Sequence, residues 1–445
     1  MSDRRKILEL FETHREFYEQ VTTEGIEKYR KGDFRLRVVD AEGRPLPNVP
    51  VTVNQQSHAF RFGGNLFLLD ELESKEKNET YKRRFADVFN MATLPFYWNT
   101  LEPTRGRPRY AKDSEKIYRR PPIDLCMEFC AQHGIEPREH ALAYDWYFPE
   151  WLYDAPISEI KAELERRYAE IAERYADKIP TIEVTNEMEW EAGRTAFYDE
   201  PDFVEWCFRL AEKYFPKNEL VINEHTAACW ADRCRATDKY YAYTEAALLK
   251  GARIDAIGMQ YHLFVKRENE YEATRKTLDP LNLYKHMDLY AGLGKPLQVT
   301  EITLPAYSED AEDEAIQAEL LEKLYTLWFS HPSVEQIIYW NLVDGYAHVG
   351  NATPENIAAS QGNMTLGENY YYGGLLRFDM SPKPAYNKLK ELLTSTWHTH
   401  ETGVTDADGY VSFRGFYGDY TACVGDLTST FTVSKIAENE KVITV

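Results

Sequence analysis

The sequence predicts a (β/α)8 barrel, because short apolar segments alternate with longer segments of helical periodicity. The strand candidates are apolar runs that end in polar or aromatic residues, at 60–66, 91–98, 137–144, 181–187, 220–225, 256–263, 297–302 and 336–342. Helical patterns follow most of them, at 123–133, 157–176, 202–214, 239–251, 282–292 and 313–330. A doubly wound open sheet would alternate in the same way, but no Gly-x-Gly-x-x-Gly follows the first strand.

Both ends of the 445-residue chain predict a smaller β-domain beside the barrel. Two alternating runs flank an Asp-Ala-Glu-Gly turn within 34–53, and similar turn chemistry recurs within 404–413, before strand-like segments that end near 433. We therefore expect an N-terminal helical segment (1–32), a β-sandwich built from 33–58 and 396–445, and a barrel over 59–395. Independent N-terminal and C-terminal sheets are the alternative.

Composition and charge indicate which classes of binding partner are not expected. The formal net charge of −21 repels nucleic acid and anionic membranes, so we expect neither as a partner. The six cysteines lack zinc-site spacing, and we expect reduced thiols, no metal and no cofactor. No apolar leader and no run of membrane-spanning length is found. This predicts a cytoplasmic protein, or a secreted one if a native leader has been removed.

The predicted strand ends share polar and aromatic side chains. Because the carboxyl ends of barrel strands meet at one rim, where barrel enzymes place their chemistry, these residues predict a binding site. The strand ends concerned are Tyr97-Trp98, Tyr144-Asp145, Asn186-Glu187, Asn223-Glu224-His225, Gln260-Tyr261-His262, Thr300-Glu301 and Tyr339-Trp340-Asn341.

Two of these strand ends carry the carboxyl groups that glycoside hydrolysis requires. Glu187 ends the fourth predicted strand and Glu301 the seventh. One carboxyl group protonates the leaving oxygen, and the other attacks the anomeric carbon or activates water. A separation of about 5–5.5 Å would give retention of configuration. Alternatively, Asn186 is a helix N-cap with Glu187 in the first turn, and each carboxyl is a surface charge.

The order of these motifs resembles glycoside hydrolase family 10, whose best-known members are endo-β-1,4-xylanases. The matching segments span most of the predicted barrel. They are Asn90-Met-Ala-Thr93, Glu102-Pro-Thr-Arg-Gly106, Arg138-Glu-His140, Glu183-Val-Thr-Asn-Glu187, Ile257-Gly-Met-Gln-Tyr-His262, Val299-Thr-Glu301 and Pro382-Lys-Pro-Ala-Tyr386. The resemblance implies a retaining glycosidase that cleaves β-glycosidic bonds of a xylan-related polysaccharide or oligosaccharide, with carbohydrate as its partner.

The resemblance also implies residue roles. Glu187 would be the general acid/base and Glu301 the nucleophile. Asn186 would hydrogen-bond the 2-hydroxyl of the sugar being cleaved, and Gln260 would contact the same sugar. His262 would hydrogen-bond near Glu301 and help keep it ionised. Trp340 would form an apolar wall of the site.

Several sugar-contacting positions depart from the family pattern. Tyr97 lies where the family carries polar and charged groups at the second strand end, and Tyr144-Asp145 replaces a Trp-His pair. His225 replaces a tyrosine. We expect Tyr97, Trp98, Tyr144, Asp145 and His225 to contact substrate, which would be a different sugar, a decorated xylan or the end of a chain. A structural role for Asp145 is the alternative.

These departures leave alternative activities open. A relative in the same clan could cleave a β-galactoside, a β-glucoside or an arabinoside. A carbohydrate-binding barrel without turnover is the alternative outside enzymes, although the presence of both Glu187 and Glu301 argues against it.

Overall fold

The structure, a computed structural model, describes residues 3–189, 193–231, 233–350, 353–436 and 439–445. In chain order the strands are β1 (Lys31–Val39), β2 (Pro50–Gln55), β3 (Arg61–Asn65), β4 (Met91–Pro95), β5 (Glu136–His140), β6 (Thr181–Asn186), β7 (Glu219–Glu224), β8 (Ala256–His262), β9 (Leu297–Thr303), β10 (Val334–Tyr339), β11 (His400–Val404), β12 (Tyr410–Phe416), β13 (Gly418–Val424), β14 (Leu427–Val433) and β15 (Glu440–Thr444).

Strands β3 to β10 form a closed parallel barrel, with β10 pairing to β3. Each of the eight predicted segments supplies one of these strands, so the predicted barrel is confirmed. The strands are buried over most of their length, as expected when helices cover the outside of a parallel barrel.

The helices are α1 (Glu9–Thr13), α2 (Arg15–Tyr29), α3 (Lys75–Ala86), α4 (Trp98–Leu101), α5 (Ile123–His133), α6 (Ile157–Tyr175), α7 (Phe203–Tyr214), α8 (Thr226–Cys229), α9 (Lys239–Leu249), α10 (Glu270–Thr274), α11 (Pro280–Ala291), α12 (Ala311–Ser330), α13 (Pro354–Ser360) and α14 (Pro384–Glu391). The amphipathic α6 illustrates why they form, since its buried residues recur every three or four positions. Its buried apolar residues are Ile160, Leu164, Tyr168, Ile171 and Tyr175. Among the helices in the described ranges, none is both long and apolar enough to cross a membrane.

Two barrel strands end earlier than the sequence pattern predicts. β4 ends at Pro95, and Trp98 instead begins the short helix α4. β5 ends at His140, after which Ala143 keeps only an isolated bridge to Thr185. The apolar and aromatic run continues beyond the strand in both places, because these residues pack into the loops of the rim.

The chain ends form two further sheets beside the barrel. Their strand orders are β12-β1-β15 and β11-β2-β13-β14, so each sheet contains strands from both ends of the chain. Phe34, Leu36, Val53 and Tyr420 are among the residues of their common core. The predicted sandwich from both termini is therefore confirmed, and the alternative of independent sheets is wrong. The exact domain limits stay a prediction.

An aromatic cluster joins the sandwich to the barrel. Trp397, which precedes β11, stacks on Phe62 of β3 at 5.7 Å between ring centroids and contacts Phe329 of α12 at 4.4 Å. Arg30, at the end of α2, donates to the backbone carbonyls of His331 at 2.5 Å and Val334 at 2.7 Å. The N-terminal segment is therefore anchored directly to the barrel.

Candidate active site

Glu187 and Glu301 line the same cavity at the carboxyl ends of the barrel strands. Glu187 follows Asn186, the last residue of β6, and Glu301 lies within β9. The cavity is narrow, with a volume of about 100 Å³. Glu301 is almost fully buried, with 3% of its surface exposed, whereas Glu187 is partly accessible. The two carboxyl groups are therefore placed for different tasks.

Glu187 is held in an uncommon backbone conformation. Its φ is +49°, a left-handed value that side chains other than glycine seldom adopt and that often occurs at functional sites. The hydroxyl of Tyr144 donates to one carboxylate oxygen of Glu187. Nε2 of Gln260 donates to the other oxygen at 2.9 Å. Both oxygens are thus oriented by neighbours on other strands or loops.

A chain of side-chain amides connects the two glutamates. Nδ2 of Asn223 lies 3.3 Å from Oε1 of Glu301 and 2.9 Å from Oδ1 of Asn186. That oxygen of Asn186 also accepts from Nε2 of Gln260 at 3.2 Å, and Gln260 reaches Glu187. The carboxyl groups on β9 and after β6 are therefore positioned by one connected network.

The orientation of the Asn223 amide is fixed by its own neighbours. The hydroxyl of Thr300 donates to Oδ1 of Asn223 at 2.7 Å, which turns Nδ2 toward the carboxyl groups. A Cβ atom at Gly258 would lie 2.4 Å from the same Oδ1. The glycine on β8 therefore leaves the space that the amide occupies, and a larger residue there would displace it.

Beneath Glu301 lies a fully buried charge cluster. Glu183 pairs with Arg138 at 2.5 Å and with Nδ1 of His140 at 2.9 Å. One donor atom each of His140, Glu183 and Glu301 lies within 4.8 Å of the others, a spacing that also suits a metal ion. However, Arg138 and Asn223 already bind these carboxylates, so the cluster is stabilised by its own members.

The pKa of Glu301 is raised well above its ordinary value. Burial is the main cause, and the negative charges of Glu183 and Glu187 add to it. Arg138 and His140 act in the opposite direction, since both favour the carboxylate electrostatically. The ionised form is further favoured by the amide of Asn223, which donates to it.

His262 contacts Glu301 as a neutral imidazole. Burial lowers its pKa to about 4, and the ring nitrogens lie 2.9 Å from Oγ1 of Thr303 and 3.2 Å from Oε2 of Glu301. A neutral imidazole carries one N–H. If Nε2 donates to Glu301, Nδ1 has no proton and accepts from the hydroxyl of Thr303. The ring stacks on Phe264 at 4.6 Å.

Aromatic side chains form one wall of the cavity. Trp340 packs edge-on against Phe67 at 5.2 Å and against His140 at 5.3 Å. The hydroxyl oxygen of Tyr97 lies 2.9 Å from Nε2 of His140, while Tyr147 packs on the Tyr97 ring at 4.4 Å. The structure therefore brings Tyr97, Tyr144 and Trp340 into the cavity lining together with Glu187 and Glu301.

His225 borders a second cavity, of about 530 Å³, that Glu187 also lines. Gln260 and His262 also line it, and its remaining walls are mostly apolar or aromatic, including Trp230 and Phe264. Burial lowers the pKa of His225, so its ring favours the neutral form. Glu187 therefore lines both cavities, whereas Glu301 lines only the first.

Two predicted contacts lie outside both cavities. Trp98 is buried, and its indole N–H donates to Glu102 at 2.9 Å. Asp145 accepts from the backbone N–H of Thr195 at 3.2 Å, from its hydroxyl at 2.5 Å and from the N–H of Arg194. The geometry of Asp145 corresponds to the alternative, a carboxylate that fixes the loop after β6, and Trp98 packs in the core beside α4.

Residues 59–392 match the description glycosyl hydrolase family 10. The chain belongs to this family. Xylanase 10B from Thermotoga maritima has the same fold, with a TM-score of 0.58 and 19% identity over 76% of this chain and 96% of that structure. The same enzyme from Thermotoga petrophila, solved with xylobiose, gives a TM-score of 0.58 over 76% of this chain and 95% of that one.

Curated relatives of this family 10 chain carry different names. Anti-sigma-I factor RsgI6 from Acetivibrio thermocellus is 26% identical over 90% of this chain and 46% of its own length. Endo-1,4-beta-xylanase 1 from Arabidopsis thaliana is 22% identical over 94% of this chain and 39% of its own length. The chain therefore spans less than half the length of these relatives.

Within this family 10 site, sequence reasoning missed several residues. Asn223 was noted as a strand end but was given no role, although it contacts Glu301. Its position opposite Asn186 in the pairing of β6 and β7 was the available signal. Arg119 and Arg120 also line the cavity, but they lie on an irregular loop. A search for polar residues at strand ends cannot find residues on such a loop.

Proposed function

We propose that this protein is a retaining glycoside hydrolase that cleaves β-glycosidic bonds of xylan-related oligosaccharides or polysaccharides. The observation that carries the proposal is the amide network through which Asn223, Asn186 and Gln260 connect Glu301 with Glu187. A carboxyl pair oriented in one cavity is what acid and nucleophile require. Membership of family 10 and the xylobiose complex of the Thermotoga petrophila relative favour xylose-based substrates.

In the first step, Glu187 donates a proton to the glycosidic oxygen while a carboxylate oxygen of Glu301 attacks the anomeric carbon. The C–O bond to the leaving sugar breaks, and a covalent glycosyl-enzyme forms. Glu187 then removes a proton from water, which attacks the same carbon and releases Glu301 as a carboxylate. The two steps each invert the carbon, so the product keeps the configuration of the substrate.

The surroundings of the two carboxyl groups differ. Burial disfavours the charge on Glu301, and this makes its carboxylate a stronger nucleophile once it is ionised. Asn223 and the neutral His262 lie within hydrogen-bonding distance of its oxygens. Glu187 borders the second cavity, where the leaving sugar and the incoming water would lie.

A second candidate is a carbohydrate-binding barrel without turnover. The relative from Acetivibrio thermocellus is named as an anti-sigma factor, not as a hydrolase. In that case the cavity would bind sugar and the carboxyl pair would have no catalytic task.

The test is hydrolysis of aryl β-glycosides and xylo-oligosaccharides by wild type, Glu301→Gln and the control Glu272→Gln, which changes an exposed glutamate on α10. We expect wild type and control to hydrolyse alike and Glu301→Gln to lose at least about 1,000-fold in kcat, as for other removed catalytic groups. NMR of the first product should show the retained anomer. The inverted anomer would refute the double displacement, and sugar binding without hydrolysis would favour the second candidate.

A further inference from the structure

Two consecutive arginines, Arg119 and Arg120, line the cavity that contains the catalytic pair. They lie on the loop between α4 and α5, where Arg119 has a φ of +59° and Arg120 precedes Pro121. The proline restricts Arg120 to extended conformations, while the left-handed backbone at Arg119 turns the loop. Both side chains are buried, with 3% of Arg119 and 7% of Arg120 exposed.

Neither arginine has a carboxylate partner among the residues that the structure describes. The side chain of Arg119 donates to the carbonyl of Tyr346 at 2.7 Å, and that of Arg120 donates to the carbonyl of Arg119 at 2.9 Å. Both Nε atoms are buried without a hydrogen-bond partner. A guanidinium carries five N–H donors, so most of the donors of each arginine are unused.

Other buried arginines in this protein have more partners. Arg4 pairs with both Glu270 and Asp313, and Arg138, whose nitrogens make no hydrogen bond, lies 2.5 Å from a carboxylate oxygen of Glu183. Arg167, which has no such pair among the described residues, donates to three backbone carbonyls. Burying a charge without partners of either kind is costly. Among the described residues, Arg119 and Arg120 have neither an ion pair nor several carbonyl acceptors, and they lie in a cavity where a ligand can supply the missing acceptor.

Aromatic rings hold the guanidinium of Arg120 in a fixed orientation. Its central carbon lies 3.8 Å above the ring of Tyr97 and 5.4 Å from that of Phe67. Stacking of this kind fixes the plane of the group and leaves its N–H edge available for a planar bidentate acceptor. A carboxylate has that geometry.

The other ionisable groups at this end of the cavity form no ion pair with the arginines. Glu368 lines the cavity, and its charge favours the protonated form of Arg120, but its Oε2 accepts from Nδ2 of Asn341 at 3.2 Å and is not within ion-pair distance of either arginine. Burial and the two arginines lower the pKa of His348 to about 3, so it is uncharged near neutral pH. Within the described ranges, the positive charge of the pair is therefore available to a ligand.

The arginines lie on the side of the sugar that Glu301 attacks. They share the first cavity with Glu301, whereas the leaving sugar would lie in the second cavity beside His225. We propose that Arg119 and Arg120 bind the carboxylate of a uronic acid on that side, so that the substrate class is an acidic β-glycoside. This inference rests on the proposed function, and it names the substrate class of the same site.

The experiment measures binding to Glu301→Gln, so that turnover does not interfere. Its probes are matched acidic and neutral sugars: D-glucuronate with D-glucose, D-galacturonate with D-galactose, and xylotriose with and without a glucuronic acid branch. We expect the acidic member of at least one pair to bind about 10-fold more tightly, a difference of about 1.4 kcal/mol. A monosaccharide preference would place the acid on the cleaved sugar, and a preference only for branched xylotriose would place it on a side chain.

Variants of Arg119 and Arg120 test whether these residues cause the preference for acidic sugars. Arg120→Gln and Arg119→Gln, each combined with Glu301→Gln, should reduce the ratio of acidic to neutral affinity to within about twofold, because the charge-assisted bonds are lost. Arg120→Lys should give an intermediate ratio, since it keeps the charge but not the planar fork. The control Arg209→Gln, an exposed position on α7, should leave the ratio unchanged.

Binding of acidic and neutral sugars to Glu301→Gln alone tests the proposal, even if the arginine variants fail to fold. Equal binding of acidic and neutral members in every pair would overturn it, and so would the absence of binding by every probe. If wild type hydrolyses no substrate while Glu301→Gln still prefers acidic sugars, the proposed hydrolase activity is refuted. The proposal that the arginines bind a uronic acid then stands.

Discussion

Nδ2 of Asn223 lies 3.3 Å from Oε1 of Glu301, and the same nitrogen lies 3.2 Å from Oε1 of Glu183. The nitrogen has a third acceptor in Oδ1 of Asn186 at 2.9 Å, so its two N–H groups are shared between two buried carboxylates and one amide oxygen. Because Asn223 reaches Glu301 from a neighbouring part of the barrel, the orientation of the proposed nucleophile depends on β7 as well as on β9.

Replacement of Asn223 should lower activity through Glu301. A lost hydrogen bond to a charged group is worth about 1.5–3 kcal/mol, so Asn223→Ala should lower kcat/KM by roughly 10–100-fold. Loss of the donor also raises the pKa of Glu301, because its ionised form is less stabilised. The acidic limb of the pH profile of kcat/KM should therefore move to higher pH, and Asn223→Asp should move it further.

The matched control is Asn218→Ala. Asn218 is also buried but donates to the carbonyls of Ala176 and Ile179, away from the cavity. It should lower thermal stability while leaving the pH profile in place. An unchanged acidic limb in Asn223→Ala would contradict a positioning role for Asn223.

Removing the charge of Glu183 should shift the pH profile in the opposite direction. The pKa of Glu301 is raised mainly by burial and also by the charge of Glu183, whereas Arg138 and His140 lower it. In Glu183→Gln a negative charge that raises the pKa of Glu301 is removed while Arg138 remains, so this pKa falls. Activity, which is lost when Glu301 becomes protonated, should then persist to lower pH. A limb that moves to higher pH would contradict this assignment.

The same variant should be less stable, because breaking a buried ion pair such as Glu183–Arg138 costs about 3–5 kcal/mol. Denaturant unfolding measures this loss, and the pH profile is then recorded at a temperature where the variant is fully folded.

Tyr144→Phe should affect leaving groups unequally. The hydroxyl of Tyr144 donates to Glu187, so its loss removes one group that orients the proposed acid. Glycosides with poor leaving groups need that proton most, and their kcat/KM should fall by about 10-fold, a part of the roughly 100- to 10,000-fold that acid catalysis contributes. Glycosides of acidic phenols should change little. The control Tyr370→Phe alters a tyrosine that is 36% exposed.

Asp145→Ala should reduce stability more than substrate affinity. Asp145 is buried and accepts bonds from Arg194 and Thr195, and leaving those donors unpaired costs about 1–3 kcal/mol. Denaturant unfolding should show this loss, while KM for a xylo-oligosaccharide should stay within about twofold, since no direct contact is removed. A rise in KM without loss of stability would support the direct contact that the sequence suggested.

The barrel could be predicted from sequence because each strand is a short apolar run between helical segments, a pattern set by burial on both faces. Asn186, Gln260, His262 and Trp340 were found for a related reason, since they lie at strand ends that meet at one rim. His262 and Trp340 line the cavity with Asn186, and Gln260 lies between Asn186 and Glu187.

The remaining site residues depend on loops, which have no regular period. Trp98 lies outside the cavities because β4 ends at Pro95 and α4 directs the indole to Glu102. Arg119 and Arg120 lie in the cavity because a left-handed residue and two prolines shape their loop. The orientation of these side chains follows from tertiary packing, and the periodicity of a single sequence does not predict it.

The pairing of β2 with β11 and β13 has a consequence for synthesis on the ribosome. The 344 residues that separate Gln55 from His400 require on the order of 20–70 s at about 5–20 residues per second. The last barrel strand is made before His400, so the barrel can close first. Meanwhile β1 and β2 emerge without their partners, and unpaired strand edges invite pairing with other chains. The late strands thus act as a latch, and a nascent chain stalled before them would be the form most exposed to aggregation.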